Sequence, residues 1–157
     1  MSCAICCLIG ADEITAEFYR SVPRCLNVMA EIAILEDNAL MRRYLADLLG
    51  QVGGHTVRAY AEPTEMAFEL EQSPAELVVL DIGLGPTARL HGQRVDGIAV
   101  CQYLKAQPSS PAVMLLTAHA FDGDEVRFLE ESGADAYEPK PIRDEDGFLE
   151  KLGSLLT

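Results

Sequence analysis

Leu77-Val78-Val79-Leu80-Asp81 is an apolar, β-branched run that ends on a single carboxylate. Runs of this kind, bounded by turn formers, read as a strand buried on both faces. The bounds are Ser73-Pro74 before it and Gly83, Gly85 and Pro86 after it. A strand buried on both faces needs covering layers on each side, so this stretch already favours an α/β sandwich. Aspartate is a poor strand residue and is rarely buried without a partner. In open parallel sheets the ligand crevice lies at the carboxyl ends of the strands. Asp81 is therefore either a cap of the following turn or part of a site at that edge.

The rest of the chain repeats the pattern. Ile32-Ala33-Ile34-Leu35 is a first buried strand ending on Glu36-Asp37, and Asn38 is a good helix N-cap. Leu40, Met41, Tyr44, Leu45, Leu48 and Leu49 then recur at helical spacing up to Gly50. His55 to Tyr60 reads as a second strand. Pro63 opens a second helix, with Met66, Ala67 and Leu70 on one face. After the strand ending at Asp81 comes a long connection over 82–96. A third helix follows over Gly97–Ala106, with Ile98, Cys101 and Leu104 facing inward. Ala112 to Leu116 is a fourth strand ending on Thr117, and Asp122 to Glu131 a short acidic helix. Ala136-Tyr137 begins a last strand that reaches Lys140-Pro141, and Asp144 to Leu156 is a closing helix. Five strands alternating with five helices imply an α/β fold, a parallel sheet covered on both faces by right-handed crossovers. The flavodoxin-like strand order 2-1-3-4-5 is the common five-stranded solution.

Composition narrows the function classes. A chain of 157 residues with a net charge of −13 is poorly suited to gripping a phosphate backbone, so direct nucleic-acid binding is not expected. The same charge suits a cation site or basic protein partners. No apolar run approaches the roughly 18 residues of a membrane span. The cysteines are Cys3, Cys6, Cys7, Cys25 and Cys101, four of them near the amino terminus. An odd count split this way is not a disulfide framework and fits a reducing, cytoplasmic compartment. Cys3, Cys6 and Cys7 lack a second Cys/His pair at zinc spacing, and no positive segment makes a signal peptide of them. Residues 1–28 read as an extension, disordered or not natively translated, with the domain at 29–157.

Four strands thus end on polar groups: Glu36-Asp37, Asp81, Thr117 and Lys140. In a parallel sheet these ends share one edge. Three converging carboxylates repel and are costly to desolvate unless a cation joins them. Mg²⁺ suits one or two carboxylates plus a carbonyl and waters. Lys140 adds a point charge and Thr117 a hydroxyl, which together cradle a phosphoryl group with Asp81 as available nucleophile.

On these stretches the sequence resembles the response-regulator receiver domains of two-component signalling. The matching segments are IAILEDN at 32–38, LVVLDIGL at 77–84, VMLLTAHA at 113–120 and GADAYEPKPI at 133–142. The resemblance covers about residues 31–157 and implies a stand-alone, CheY-like receiver. It implies Asp81 as phosphoacceptor, and Mg²⁺ held by Asp37, Asp81 and the carbonyl of Gly83, with Glu36 acting through water. Thr117 would bond the phosphoryl oxygen, Lys140 would pair with Asp81 or the phosphoryl group, and Lys140-Pro141 would be cis. Tyr137 matches the aromatic switch position; the bland reading is a half-exposed strand aromatic. The implied donor is a histidine kinase or histidine phosphotransfer protein. A downstream protein would read the face formed by the fourth helix, fifth strand and fifth helix. Residues 122–157 hold eleven acids against four basic residues, so a partner docking there should be basic at the contact or use the apolar part of the face. Dimerisation through the last helices is open, with no motif encoding it. Such a domain is no enzyme beyond its own phosphorylation and autodephosphorylation.

Departures from the family pattern concern the loop after Asp81. The Asp-Gly pair usually close behind the phosphoacceptor comes late here, as Asp96-Gly97, so 85–95 contains an insertion of roughly eight residues. It carries Arg89, His91 and Arg94 and is either a solvated loop or an element beside the pocket that affects kinase choice or dephosphorylation. Gly83 and His119 occupy the positions two beyond Asp81 and Thr117, where a hydrolytic water would approach. Two other readings compete. A phosphohydrolase with an Asp nucleophile needs a second acid two residues later, and Gly83 stands there. A pseudo-receiver would bind partners without taking phosphate, although every expected pocket residue is present.

Overall fold

The computed structural model describes residues 29–118 and 124–156. The amino-terminal cysteine cluster and His119 lie outside the described residues. Strand β1 is Glu31–Leu35, followed by helix α1 over Ala39–Asp47 and a wider π turn over Leu48–Val52. Then come β2 (Thr56–Tyr60), α2 (Pro63–Gln72) and β3 (Leu77–Asp81). Two short strands follow, β4 (Arg89–Leu90) and β5 (Gln93–Arg94), before α3 (Gly97–Lys105) and β6 (Ala112–Thr117). Helix α4 (Asp124–Ser132), strand β7 (Ala136–Pro139) and helix α5 (Glu145–Ser154) close the fold.

The five long strands form one parallel sheet in the order β2-β1-β3-β6-β7, the flavodoxin-like order expected from the alternation. Period-two alternation splits the strands between two cores. Ala33, Leu35, Val78, Leu80, Val113, Leu115 and Tyr137 pack with α2 and α3. Ile32, Ile34, Leu77, Val79, Met114 and Leu116 pack with α1 and α5 around Leu45, Phe148 and Leu152. Asp81 continues the Leu77-Val79 face and Glu36 the Ile34 face. Both carboxylates are thereby aimed to the α1/α5 side, and a one-residue slip would move either to the other side.

The helices start on their caps. Asn38 accepts from the N–H groups of Leu40 and Met41, Asp96 from Ala99, and Asp144 from Gly147. Several sequence expectations change here. Leu40 is 82% exposed, not in the apolar stripe. At 100° per residue it lies roughly a quarter-turn or more off the line through Met41, Leu45 and Leu48. In α3, Val100 is fully buried with Cys101 and Leu104, whereas Ile98 sits half-buried in the first turn.

The insertion after Asp81 is not a solvated loop. Ala88 N–H closes a turn on Gly85 O at 3.1 Å, and Arg89 and Leu90 then pair antiparallel with Arg94 and Gln93. His91 and Gly92 make the two-residue reversal, with φ of 51° and 80°. Left-handed values at both positions match the twist of a tight hairpin. Ala88 and Leu90 are buried, so the element is packed down.

Candidate functional site

Two strand ends and the residues just after two others build the site. Glu36 follows β1, Asp81 ends β3, Thr117 ends β6, and Lys140 follows β7. Glu36, Asp81 and Thr117 are 1%, 4% and 4% exposed, whereas Asp37 faces solvent. Lys140 Nζ lies 2.9 Å from Glu36 Oε2 and 2.9 Å from Asp81 Oδ1. Glu36 Oε1 accepts from the N–H of Asn38 at 3.2 Å. Asp81 Oδ1 also accepts from the N–H of Gly83 at 3.2 Å. Among the described residues Asp81 Oδ2 has no hydrogen-bond donor, so one oxygen of this carboxylate is held and the other is available.

The electrostatics follow from burial. Desolvation, reinforced by the Asp81 charge, pushes Glu36 above its ordinary value, against the opposing pull of Lys140. Burial alone would lower the Lys140 pKa, but hydrogen bonds to Glu36 and Asp81 and their charges win, and it rises. The ammonium is thus locked in its charged form.

Glu36, Asp37 and Asp81 offer oxygens that all lie within 4.8 Å of one another. This donor set is the hard, oxygen-only kind that suits Mg²⁺. The loop backbone closes in to match. A methyl placed on Gly85 would lie 2.8 Å from Asp37 Oδ2, and one on Gly83 would lie 3.8 Å from both Asp81 oxygens. Gly97 serves the same edge from the helix side: its Cβ position is 2.1 Å from the Asp81 carbonyl oxygen, and its N–H donates to Ile82 O at 3.1 Å. The late Asp-Gly pair therefore sits against the end of β3 despite the inserted hairpin.

Thr117 and Lys140 are joined through the backbone, Lys140 N–H donating to Thr117 O at 2.7 Å, and the Lys140-Pro141 bond is cis as expected. Tyr137 pairs in register with Leu115, so Thr117, two residues on, shares its sheet face. The ring of Tyr137 is 5% exposed and stacks on Phe128 with centroids 6.0 Å apart. The half-exposed reading of Tyr137 is thereby replaced by a buried one.

Beside the site a groove is lined by Leu40, Met41, Tyr44, Pro141 and Ile142 together with Glu36 and Lys140. The sequence reading missed it, because it exists only where the α1 start meets the loop after β7. No sequence signal marks it, since Leu40 reads there as part of the apolar stripe of the helix.

Fold and site together define a doubly wound α/β domain with a carboxylate–ammonium centre at its carboxyl edge. Residues 32–152 match the family model for the response regulator receiver domain, and the chain belongs to that family. It is similar to the virulence transcriptional regulatory protein PhoP of Salmonella typhimurium, 31% identical over 118 residues, which are 75% of this chain and 48% of that protein. It is similar as well to the two-component response regulator PhoP of Pseudomonas aeruginosa, 30% identical over 116 residues, 74% of this chain and 47% of that one. The chain spans about half the length of the curated relatives it matches. Among solved structures, the BeF3-activated receiver domain of RstA from Klebsiella pneumoniae superposes with a TM-score of 0.67 at 25% identity. The match covers 80% of this chain and 97% of that one. The receiver domain of NtrX from Brucella abortus shares the fold at a TM-score of 0.67 and 24% identity, over 80% and 97% of the two chains. Among the described residues no helix is long and apolar enough to cross a membrane.

Proposed function

We propose that the chain is a phosphoacceptor module: Asp81 takes a phosphoryl group from a histidine kinase or histidine phosphotransfer protein and thereby switches a protein-binding face. The observation that carries this is the asymmetry of the Asp81 carboxylate. Oδ1 is held by Gly83 N–H and Lys140 Nζ, and Oδ2 is left to attack. In-line transfer forms the Oδ2–P bond as the P–N bond of the donor breaks, with the electron pair returning to the imidazole. Positioning and charge neutralisation supply most of such a step. Lys140 stands ready to follow the transferred oxygens, since it already bridges to Asp81. Asp37, Asp81 and the Gly83 carbonyl would hold Mg²⁺, with Glu36 behind them, and the ion would supply charge neutralisation at the phosphoryl oxygens.

Phosphorylation adds nearly two negative charges. The Thr117 hydroxyl would bond a phosphoryl oxygen. Movement there bears on Tyr137, which shares its sheet face, and on the α4-β7-α5 surface that a downstream protein would read. Catalysis would be confined to the domain's own phosphorylation and dephosphorylation.

Intact mass after incubation with Mg²⁺ and acetyl phosphate tests this reading. One added phosphoryl group, absent from Asp81→Asn and with chelator, is the expected result. Absence of both the adduct and Mg²⁺ binding would overturn it in favour of a pseudo-receiver acting through its surfaces.

A further inference from the structure

We propose that the β4–β5 hairpin is a docking arm for a carboxylate-rich segment of a partner protein. Three observations carry this. First, the hairpin is a built element and not a loose loop. Thr64 of α2 donates its hydroxyl to Arg89 O at 2.7 Å, and Val95 N–H reaches Ala88 O at 3.3 Å. His91 meets the ring of Tyr103 on α3 edge-on, with centroids 5.2 Å apart. Anchored on two helices, it presents its outer side chains with little ordering left to lose on binding.

Second, those outer side chains are basic on an acidic chain. Arg89 and Arg94 are directly opposed across the hairpin, and both are exposed. Like charges in such a pair are destabilising. Neither is drawn into an internal ion pair among the described residues. Lys105, Lys140, Lys151, Arg43 and Arg58 have carboxylate partners, whereas Arg42 folds on the carbonyls of Glu36 and Asp37. Among the described residues Arg89 and Arg94 have no carboxylate partner. The Arg89 guanidinium only folds back on the carbonyls of Pro86 and Ala88. Two exposed guanidinium groups on opposed positions, neither with a carboxylate partner, fit adjacent carboxylates, which such groups bind through paired hydrogen bonds.

Third, the net charge of −13 selects among anions. A long polyanion such as a nucleic acid would be repelled along most of its length. A short acidic peptide segment touches only the hairpin. A second copy of this chain has acidic surfaces to offer as well, and self-association lost in the arginine variant would be its signature. The arm is rooted between Gly83 and Gly97, at the two edges of the Asp81 pocket. A docked partner would thus lie next to the phosphoacceptor loop, although the binding itself needs no chemistry at Asp81.

The test uses the unphosphorylated full chain, ¹⁵N-labelled, with a blocked oligoglutamate peptide as probe and its serine counterpart as control. Amide shifts confined to 86–95 and the neighbouring turns of α2 and α3 are expected, weakening with added salt. In Arg89→Gln/Arg94→Gln the affinity should fall by about tenfold or more. Both side chains are exposed and their like charges are removed together, so the variant should melt no lower than the wild type, which a thermal scan checks. Absence of shifts, shifts elsewhere, or equal shifts in the variant would each overturn the proposal. Concentration-dependent self-association, lost in the variant without any peptide response, would assign the arm to a second copy and overturn it equally. Because none of these readouts involves phosphoryl transfer, failure here and failure of the phosphoacceptor reading are distinguishable.

Discussion

Lys140 Nζ sits 2.9 Å from Asp81 Oδ1, and the same ammonium holds Glu36 Oε2 at the same distance. One lysine therefore bridges two buried carboxylates that would otherwise face each other. Removing one member of such a buried set leaves uncompensated charge. Lys140→Met should lower stability in chelator by about 3 kcal/mol. Mg²⁺ should restore part of the loss, because the competing cation is gone. Urea unfolding with and without Mg²⁺ reads both effects. Unchanged stability in chelator would show that the ammonium is not what holds the site together.

Glu36 gives a pH signature with a definite sign. Its folded pKa lies above the unfolded value of 4.5, chiefly through burial. A raised pKa means the folded state holds its proton more tightly than the unfolded chain does. The stability this contributes is fully present below 4.5 and is lost as pH rises through the folded value. The stability of the metal-free wild type relative to Glu36→Gln should therefore improve as pH falls towards 4.5. Denaturant midpoints of the two proteins across pH 4 to 8, in chelator, check the direction. A difference that moves the opposite way would mean that the lysine, not burial, dominates at Glu36.

Much of this centre was legible in the sequence, because strand periodicity and strand-end chemistry are both local. Asp81, Glu36 and Lys140 stand at the ends of strand-like runs, and a parallel sheet brings such ends to one edge; register then makes them neighbours. Tyr137 was ambiguous because β7 is short, and only its pairing with Leu115 and the stack on Phe128 settle which way the ring turns. The hairpin was illegible for a different reason. Its strands are two residues long and basic, so they carry no alternation signal, and their stability comes from contacts with Thr64 and Tyr103. Leu40 misled because a one-residue offset on a helix looks apolar in sequence yet points away from the core.

Two glycines at the pocket should respond differently to the same substitution. At Gly97, helix propensity favours alanine by up to about 1 kcal/mol. The new methyl, however, would fall 2.1 Å from Asp81 O and 2.6 Å from Ile82 Cα, both backbone atoms that cannot swing aside. Overpacking costs of about 1–3 kcal/mol or more should win, and Gly97→Ala should be clearly destabilised. At Gly85 the obstacle is the Asp37 carboxylate at 2.8 Å, which can rotate away. Gly85→Ala should keep its stability within about 0.5 kcal/mol while losing Mg²⁺ affinity. Thermal unfolding paired with Mg²⁺ titration separates the cases. Equal destabilisation in both would show that the loop at Gly85 is as rigid as the strand end.

Cys101 offers a check on packing far from the pocket. It is fully buried on α3 in the core shared with Val78 and Val113. Burial pushes its thiol up to about 11, with a hydrogen bond involving Ser132 and the charge of Lys105 opposing only part of the rise. Since the thiolate is the reactive form, two barriers protect this sulfur: access and ionisation. Iodoacetamide at pH 8 should leave Cys101 unmodified in the native full chain and label it on unfolding in urea. Peptide mapping by mass spectrometry follows this one position irrespective of the four other cysteines. Rapid native labelling of Cys101 would mean that α3 opens locally well below the global unfolding free energy. The hairpin rests on Tyr103 of that same helix, so such opening would also undermine its anchor.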